Sequence, residues 1–300
     1  MLSIAHHPIY QLSLPEGHRF PMEKYDLLPK QLIHEGTCLP TDFFRPEKID
    51  RKIIERVHSA SYLERLLTLD LTPKEIRKIG FPLSLELIER EIVIAGGTVE
   101  GAKRALTSGI AMNIAGGTHH AFYDRGEAFC LLNDQAIAAQ YLIDHHNCTN
   151  ILIIDLDVHQ GNGTAAIFKN QPNIFTFSVH GAKNYPFQKE KSDLDIALPD
   201  GTDDSKYLQC LEETLPPLID QLAPDFIFYL CGVDVVATDK LGRLGLTLEG
   251  CKARDEFVLR LCKQNQIPLQ CSMGGGYSKD IKVILDAHAN TFRLAQLIYS

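Results

Sequence analysis

Asp155, Asp157 and His159 fall on alternate positions. On an extended backbone that spacing turns three side chains to one face, with neighbours about 7 Å apart. Asp157 and His159 could then approach one ion, and Asp234, at the end of a separate apolar run, could supply a third ligand. Two carboxylates and an imidazole are donors for a divalent cation. Three protein ligands also leave the open position that a catalytic metal needs. The competing explanation is structural: Asp155 and Asp157 would cap the following helix while His159 packs nearby. Against it stand His119 and His120, in tandem after Gly116-Gly117-Thr118. A water made to attack needs a base to take its proton, and a leaving amine needs an acid. Adjacent imidazoles could each offer one nitrogen to a shared substrate, their other nitrogens held by partners deeper in the fold. His58, His145, His146 and His288 lack such a setting and are read as ordinary core or surface residues.

These side chains converge only if the chain delivers them to one place. Short aliphatic and β-branched runs recur at 111–115, 151–157, 174–180, 226–234 and 268–274. Near-continuous apolar runs suit strands covered on both faces, hence a largely parallel sheet. Amphipathic stretches at 85–108, 134–146, 205–221, 247–264 and 279–300 read as helices between them. The expected fold is α/β: an open, mostly parallel sheet of about eight strands with helices on both faces. In such sheets ligands bind beyond the carboxyl ends of the strands. His119, His120, Asp157, His159, Asp234 and Tyr277 all lie at or just beyond the ends of predicted strands. The first 80 residues, broken by Pro8, Pro15, Pro21, Pro29, Pro40 and Pro46, predict loops and short helices. Residues 181–204 predict a long surface loop. No repeat or linker divides the chain, so residues 1–300 are expected to form one domain.

Bulk properties exclude several classes. A net charge of -8 and a pI near 5.8, with no basic run, argue against direct nucleic-acid binding. No apolar run nears the roughly 20 residues of a membrane-spanning helix, and the first residues do not read as a signal peptide. Eight cysteines without a C-x-x-C pair read as reduced thiols, mostly buried, which suits a cytoplasmic protein.

The motif series resembles that of histone deacetylases, members of the arginase/deacetylase superfamily. It comprises Gly116-Gly117-Thr118-His119-His120-Ala121, Phe129-Cys130-Leu131-Leu132-Asn133-Asp134, Asp155-Leu156-Asp157-Val158-His159-Gln160-Gly161-Asn162-Gly163 and Gly274-Gly275-Gly276-Tyr277. Order and separations match as well, and the closest likeness is to the class IV branch and its bacterial relatives. The resemblance implies zinc-dependent hydrolysis of an N-acyl amide, with acyl-lysine in a protein or peptide as the leading substrate. Acetylpolyamines, other small amides or long fatty acyl chains are alternatives. It implies Asp157, His159 and Asp234 as ligands of one zinc ion. His120 matches the general base and His119 its electrostatic or acid partner, with Asp155 and Asn162 behind them. Tyr277 matches the donor to the developing oxyanion. Phe129, Tyr185, Phe187, Leu244 and Gly275 are implied along the substrate path, and Arg19 deep in the pocket. Asp155 and Ser178 match a site for structural K+ or Na+.

Two departures from the family pattern matter. Asn162 stands where many members carry a carboxylate, which predicts a less basic His120. The segment 79–84 lacks the acidic rim residue of class I enzymes, which predicts looser grip on a peptide backbone. Rival readings fare worse. Gly161-Asn162-Gly163-Thr164-Ala165-Ala166 fits a dinucleotide fingerprint, but Asp155 and Asp157 would repel a pyrophosphate. A binuclear, arginase-like centre needs more bridging carboxylates than Asp234-Val235-Val236 offers.

Overall fold

The computed structural model of the chain describes residues 2–300. Its strands are β1 (Ile4–Ala5), β2 (Phe43–Phe44), β3 (Ile110–Asn113), β4 (Ile151–Asp155), β5 (Ile174–Gly181), β6 (Leu194–Leu198), β7 (Phe226–Leu230) and β8 (Leu269–Ser272). They form one sheet in the order β2-β1-β3-β8-β7-β4-β5-β6. Every pairing is parallel. All residues of β3, β4, β7 and β8 are buried, as strands covered on both faces require.

The helices begin and end where local chemistry directs. Ser84 caps the helix Leu85–Ser108, accepting from the Leu87 N–H, and left-handed Gly109 ends it. Asn133 caps Asp134–His146, which packs on the preceding helix. Thr247 caps Leu248–Gln264, which packs between Asp204–Leu222 and Ile281–Tyr299. Among the described residues no helix is long and apolar enough to cross a membrane.

Two expectations need correction. Residues 181–204 are not wholly loop, because Leu194–Leu198 pairs with β5 as the sheet's edge. This strand is partly exposed and carries Asp195, so it lacks the apolar run of a central strand. The first 80 residues contain, besides short helices, β1 and β2, two residues each, pairing at the opposite edge.

Candidate active site

The C-terminal ends of β3, β4, β7 and β8 bring their loops to one rim. β4 ends at Asp155, so Asp157 and His159 lie in the loop beyond it rather than along an extended strand. The alternation survives through side chain to backbone hydrogen bonds. Asp155 Oδ1 accepts from the Asp157 N–H (3.1 Å), and Asp157 Oδ1 accepts from the His159 N–H (3.0 Å). Each carboxylate thus braces the next turn of the loop. Neither caps the following helix, whose N-cap is Gly161 without a side-chain bond, so the structural alternative fails. The buried Arg254 guanidinium donates to the carbonyls of Leu156 (3.1 Å) and Gly232 (2.7 Å), fastening the β4 and β7 loops together. Sequence reasoning missed it, since nothing local distinguishes an arginine in a helix.

Asp157, His159 and Asp234 are buried, and each offers a ligand atom within 4.8 Å of the other two. His159 Nδ1 sits 3.0 Å from Asp157 and 3.1 Å from Asp234. Burial and the neighbouring Asp157 charge push Asp234 up to about 7. Burial opposes a charge on His159, but both carboxylates raise it to about 10. The pocket floor therefore demands a positive charge, and one divalent cation fits both the donors and the demand. Two glycines make the approach possible. A Cβ on Gly275 would lie 2.0 Å from Asp234 Oδ2, and one on Gly232 2.2 Å from Asp157 Oδ2. Gly275 lines the cavity, and its N–H donates to Asp157 Oδ2 (2.8 Å), which holds that carboxylate in place.

His119 and His120 stand side by side, ring centroids 4.1 Å apart, on different supports. His119 Nδ1 meets Asp155 Oδ2 at 2.6 Å. Burial opposes charge on His119, yet Asp155 raises its pKa above the ordinary value. His120 Nδ1–H donates to Asn162 Oδ1 at 2.6 Å, and that oxygen is oriented by the Gly163 N–H. Burial, then His119 and His159, hold His120 well below the ordinary value. Adjacent rings are thereby biased to opposite protonation states. The Tyr277 ring lies 6.5 Å from that of His159, at the same end of the sheet, and its N–H is held by Asp239 (2.6 Å). Burial, then Asp157 and Asp234, raise the Tyr277 phenol well above its usual range, so it remains a donor.

These groups close one end of a cavity of about 680 Å³. Its walls are aromatic. Phe20 and Phe129 stand 5.1 Å apart, and both face Tyr277. Phe129 and its neighbour Ala128 take left-handed backbone angles (φ 68° and 44°), fixed by N–H donation to Ile79 and Lys78. Tyr185 crosses His120 edge-on at 5.0 Å.

Of the residues expected on the substrate path, Phe129, Tyr185 and Phe187 all line the cavity, Phe187 at its mouth and 88% exposed. Two other placements need correction. Leu244 is buried and does not line the cavity, which is bounded instead by Lys240–Arg243. Arg19 is exposed, its guanidinium 4.9 Å over Phe129, and is not deep in the pocket. The buried cation that lines the cavity is Arg90, paired with Glu91 and 5.0 Å over the Tyr25 ring, while Lys24, fully buried behind the wall, donates to the Gly274 carbonyl (3.1 Å). Segment 79–84 contributes Phe81, stacked on His18, and no acid. The acid at the mouth is Glu127, which takes the Tyr185 O–H (2.6 Å) and Arg125 (3.0 Å). Ser178 sits opposite Asp155 in the β4–β5 register, its hydroxyl 3.0 Å from His180 Nδ1. His58 bonds Phe122 and Asn133, while His145 and His146 are exposed, as read from sequence. His288 is buried, with neither ring nitrogen hydrogen-bonded among the described residues.

Similarity to known proteins agrees with this geometry. A histone deacetylase domain matches residues 18–292. An uncharacterized protein of Picosynechococcus is 44% identical over 99% of both chains. Histone deacetylase 2 of Arabidopsis thaliana is 28% identical, covering 97% of this chain and 79% of its own. The crystal structure of an HDAC homolog from Aquifex aeolicus superposes with a TM-score of 0.84 at 21% identity, over 98% of this chain and 84% of its own. The sheet and the domain match leave one assignment: the chain belongs to the histone deacetylase family, hydrolases of amide bonds.

Proposed function

We propose that this protein is a zinc-dependent deacylase that hydrolyses the N-acyl amide of acyl-lysine side chains in proteins or peptides. The observation that carries the reading is the convergence of Asp157, His159 and Asp234 beneath two differently supported imidazoles and a phenol. A zinc ion held by those three residues would polarise the acyl carbonyl and acidify a water. The remaining work falls to the chain. Neutral His120, its Nδ1–H committed to Asn162, offers Nε2 to take the proton of the attacking water. His119, whose protonated form Asp155 favours against the cost of burial, stabilises negative charge and supplies a proton to the departing amine. Tyr277 donates to the oxygen that becomes negative. Phe20, Phe129 and Tyr185 strip water from an aliphatic arm. Asp155 and Ser178 remain the proposed supports for a monovalent cation. Seven of the eight cysteines are buried and all are unpaired, which favours a reducing, cytoplasmic setting.

A second reading concerns acyl length. The cavity's buried end reaches Tyr25, Ile94, Gly116 and Gly117, which favours room for chains longer than acetyl. Both readings are tested by one assay of acetyl- to myristoyl-lysine peptides and acetylated polyamines, with chelator and zinc restoration. Zinc-restored release of acid from the lysine peptides supports the proposal. Cleavage of polyamines alone refutes the protein-deacylase reading, and chelator-insensitive cleavage refutes zinc.

A further inference from the structure

The mouth of the cavity has the opposite sign to the rest of the molecule. The chain carries a net charge of -8. Yet Arg19, Lys78, Lys183, Lys240 and Arg243 all line the opening, and all are exposed. They come from four separate segments: the N-terminal loop, the end of the helix Pro73–Ile79, the loop after β5 and the loop after β7. Carboxylates there are few and already engaged. Glu127, the one acid lining the mouth among the described residues, is shared by Tyr185, Arg125 and Lys78. Asp200 serves both Lys183 (3.7 Å) and Arg243 (3.3 Å), and Asp124 pairs with Arg125. Asp239, behind the turn, accepts three backbone N–H groups, from Leu241, Gly242 and Tyr277. Among the described residues Arg19 and Lys240 have no carboxylate partner within 4.0 Å, and Arg19 rests on the Phe129 ring at the tunnel wall.

We propose that this cationic collar selects substrates whose acyl-amine arm is attached to an anionic body, specifically acyl-lysine flanked by Asp and Glu. The inference rests on the deacylase reading and names its substrate class. The aromatic tunnel accepts only the neutral acylated arm, so the flanking residues must lie across the collar. There carboxylates gain partners in Arg19 and Lys240, whereas cations meet like charge. A collar of one sign also concentrates oppositely charged substrates before they dock. Lysine-rich tails and acetylated polyamines are repelled by the same groups. Each exposed contact is weak and screened by salt, so selection comes from their sum and fades as the Debye length shrinks.

The test uses zinc-loaded enzyme and three acetyl-lysine peptides of equal length, flanked by acidic, neutral or basic residues, together with N-acetylspermidine. The kcat/KM ratio of acidic to basic peptide is expected to be about tenfold at low salt, expressed mainly in KM. It should shrink several-fold at high salt and reverse in the double variant Arg19→Glu, Lys240→Glu. Equal or better turnover of the basic peptide or N-acetylspermidine would overturn the proposal, as would a ratio unchanged by salt or by the charge reversal. The neutral peptide separates the two readings. If no peptide is hydrolysed, the deacylase reading falls, and the collar is then judged by anisotropy of the labelled acidic and basic peptides. Preferential binding of the acidic peptide supports the collar, and equal binding refutes it.

Discussion

The floor and the mouth of the cavity are built on opposite principles. At the floor the histidines and carboxylates are buried and held by named partners: His119 by Asp155, His120 by Asn162, Asp157 by Gly275, and the loops themselves by Arg254. At the mouth the five cationic side chains are exposed, and Arg19 and Lys240 have no carboxylate partner within 4.0 Å among the described residues. Chemistry needs fixed geometry in low dielectric, where a misplaced donor is expensive. Selection among substrates needs only the sign and placement of charges in water. The floor should thus respond to substitution by orders of magnitude, and the mouth by small factors.

The largest effect is expected from removing a ligand. Asp234→Ala should lower kcat/KM by at least about 1000-fold and abolish zinc retention, read by metal analysis of the purified protein. Retained zinc with full activity would erase the floor's distinction. Tyr277→Phe keeps the ring and removes the donor, so kcat should fall about 100- to 1000-fold with KM little changed. An effect confined to KM would move Tyr277 from the chemistry to the wall.

The next variant probes the support of His120. His120 acts when neutral, and burial with two neighbouring imidazoles already lowers its pKa. Asn162→Asp would place a carboxylate against Nδ1 and stabilise the imidazolium, raising that pKa. Less of the base is then neutral at a given acidic pH, so the acidic limb of the pH–rate profile should move to higher pH. An unmoved limb would show that Asn162 does not tune the base. The smallest effect belongs to the mouth. Glu127→Gln keeps an acceptor for Tyr185 but loses the charge shared by Arg125 and Lys78, so KM should change about threefold with kcat preserved.

The same contrast governs what could be read from sequence. The floor was legible because strand tips carry short contiguous motifs, and the five central runs became β3, β4, β5, β7 and β8. Even there the period-two argument succeeded for a different reason, since carboxylate–backbone bonds beyond Asp155 replaced the strand. The mouth was illegible because Arg19, Lys78, Lys183, Lys240 and Arg243 are scattered singly and only the fold gathers them. Arg19 and Lys24 show the limit sharply. Both are cations in one segment, and tertiary packing alone decides that Lys24 is buried and Arg19 is not. The outer strands, β1 and β2 on one side and β6 on the other, are not legible in the sequence because they are short or partly exposed, with no long apolar run.

The central claim is a single metal ion at the floor, and anomalous diffraction at the zinc edge from crystals of active enzyme tests it most directly. The account predicts one peak per chain, in contact with Asp157, His159 and Asp234. A peak elsewhere, two peaks, or none from crystals whose dissolved protein is active would contradict it.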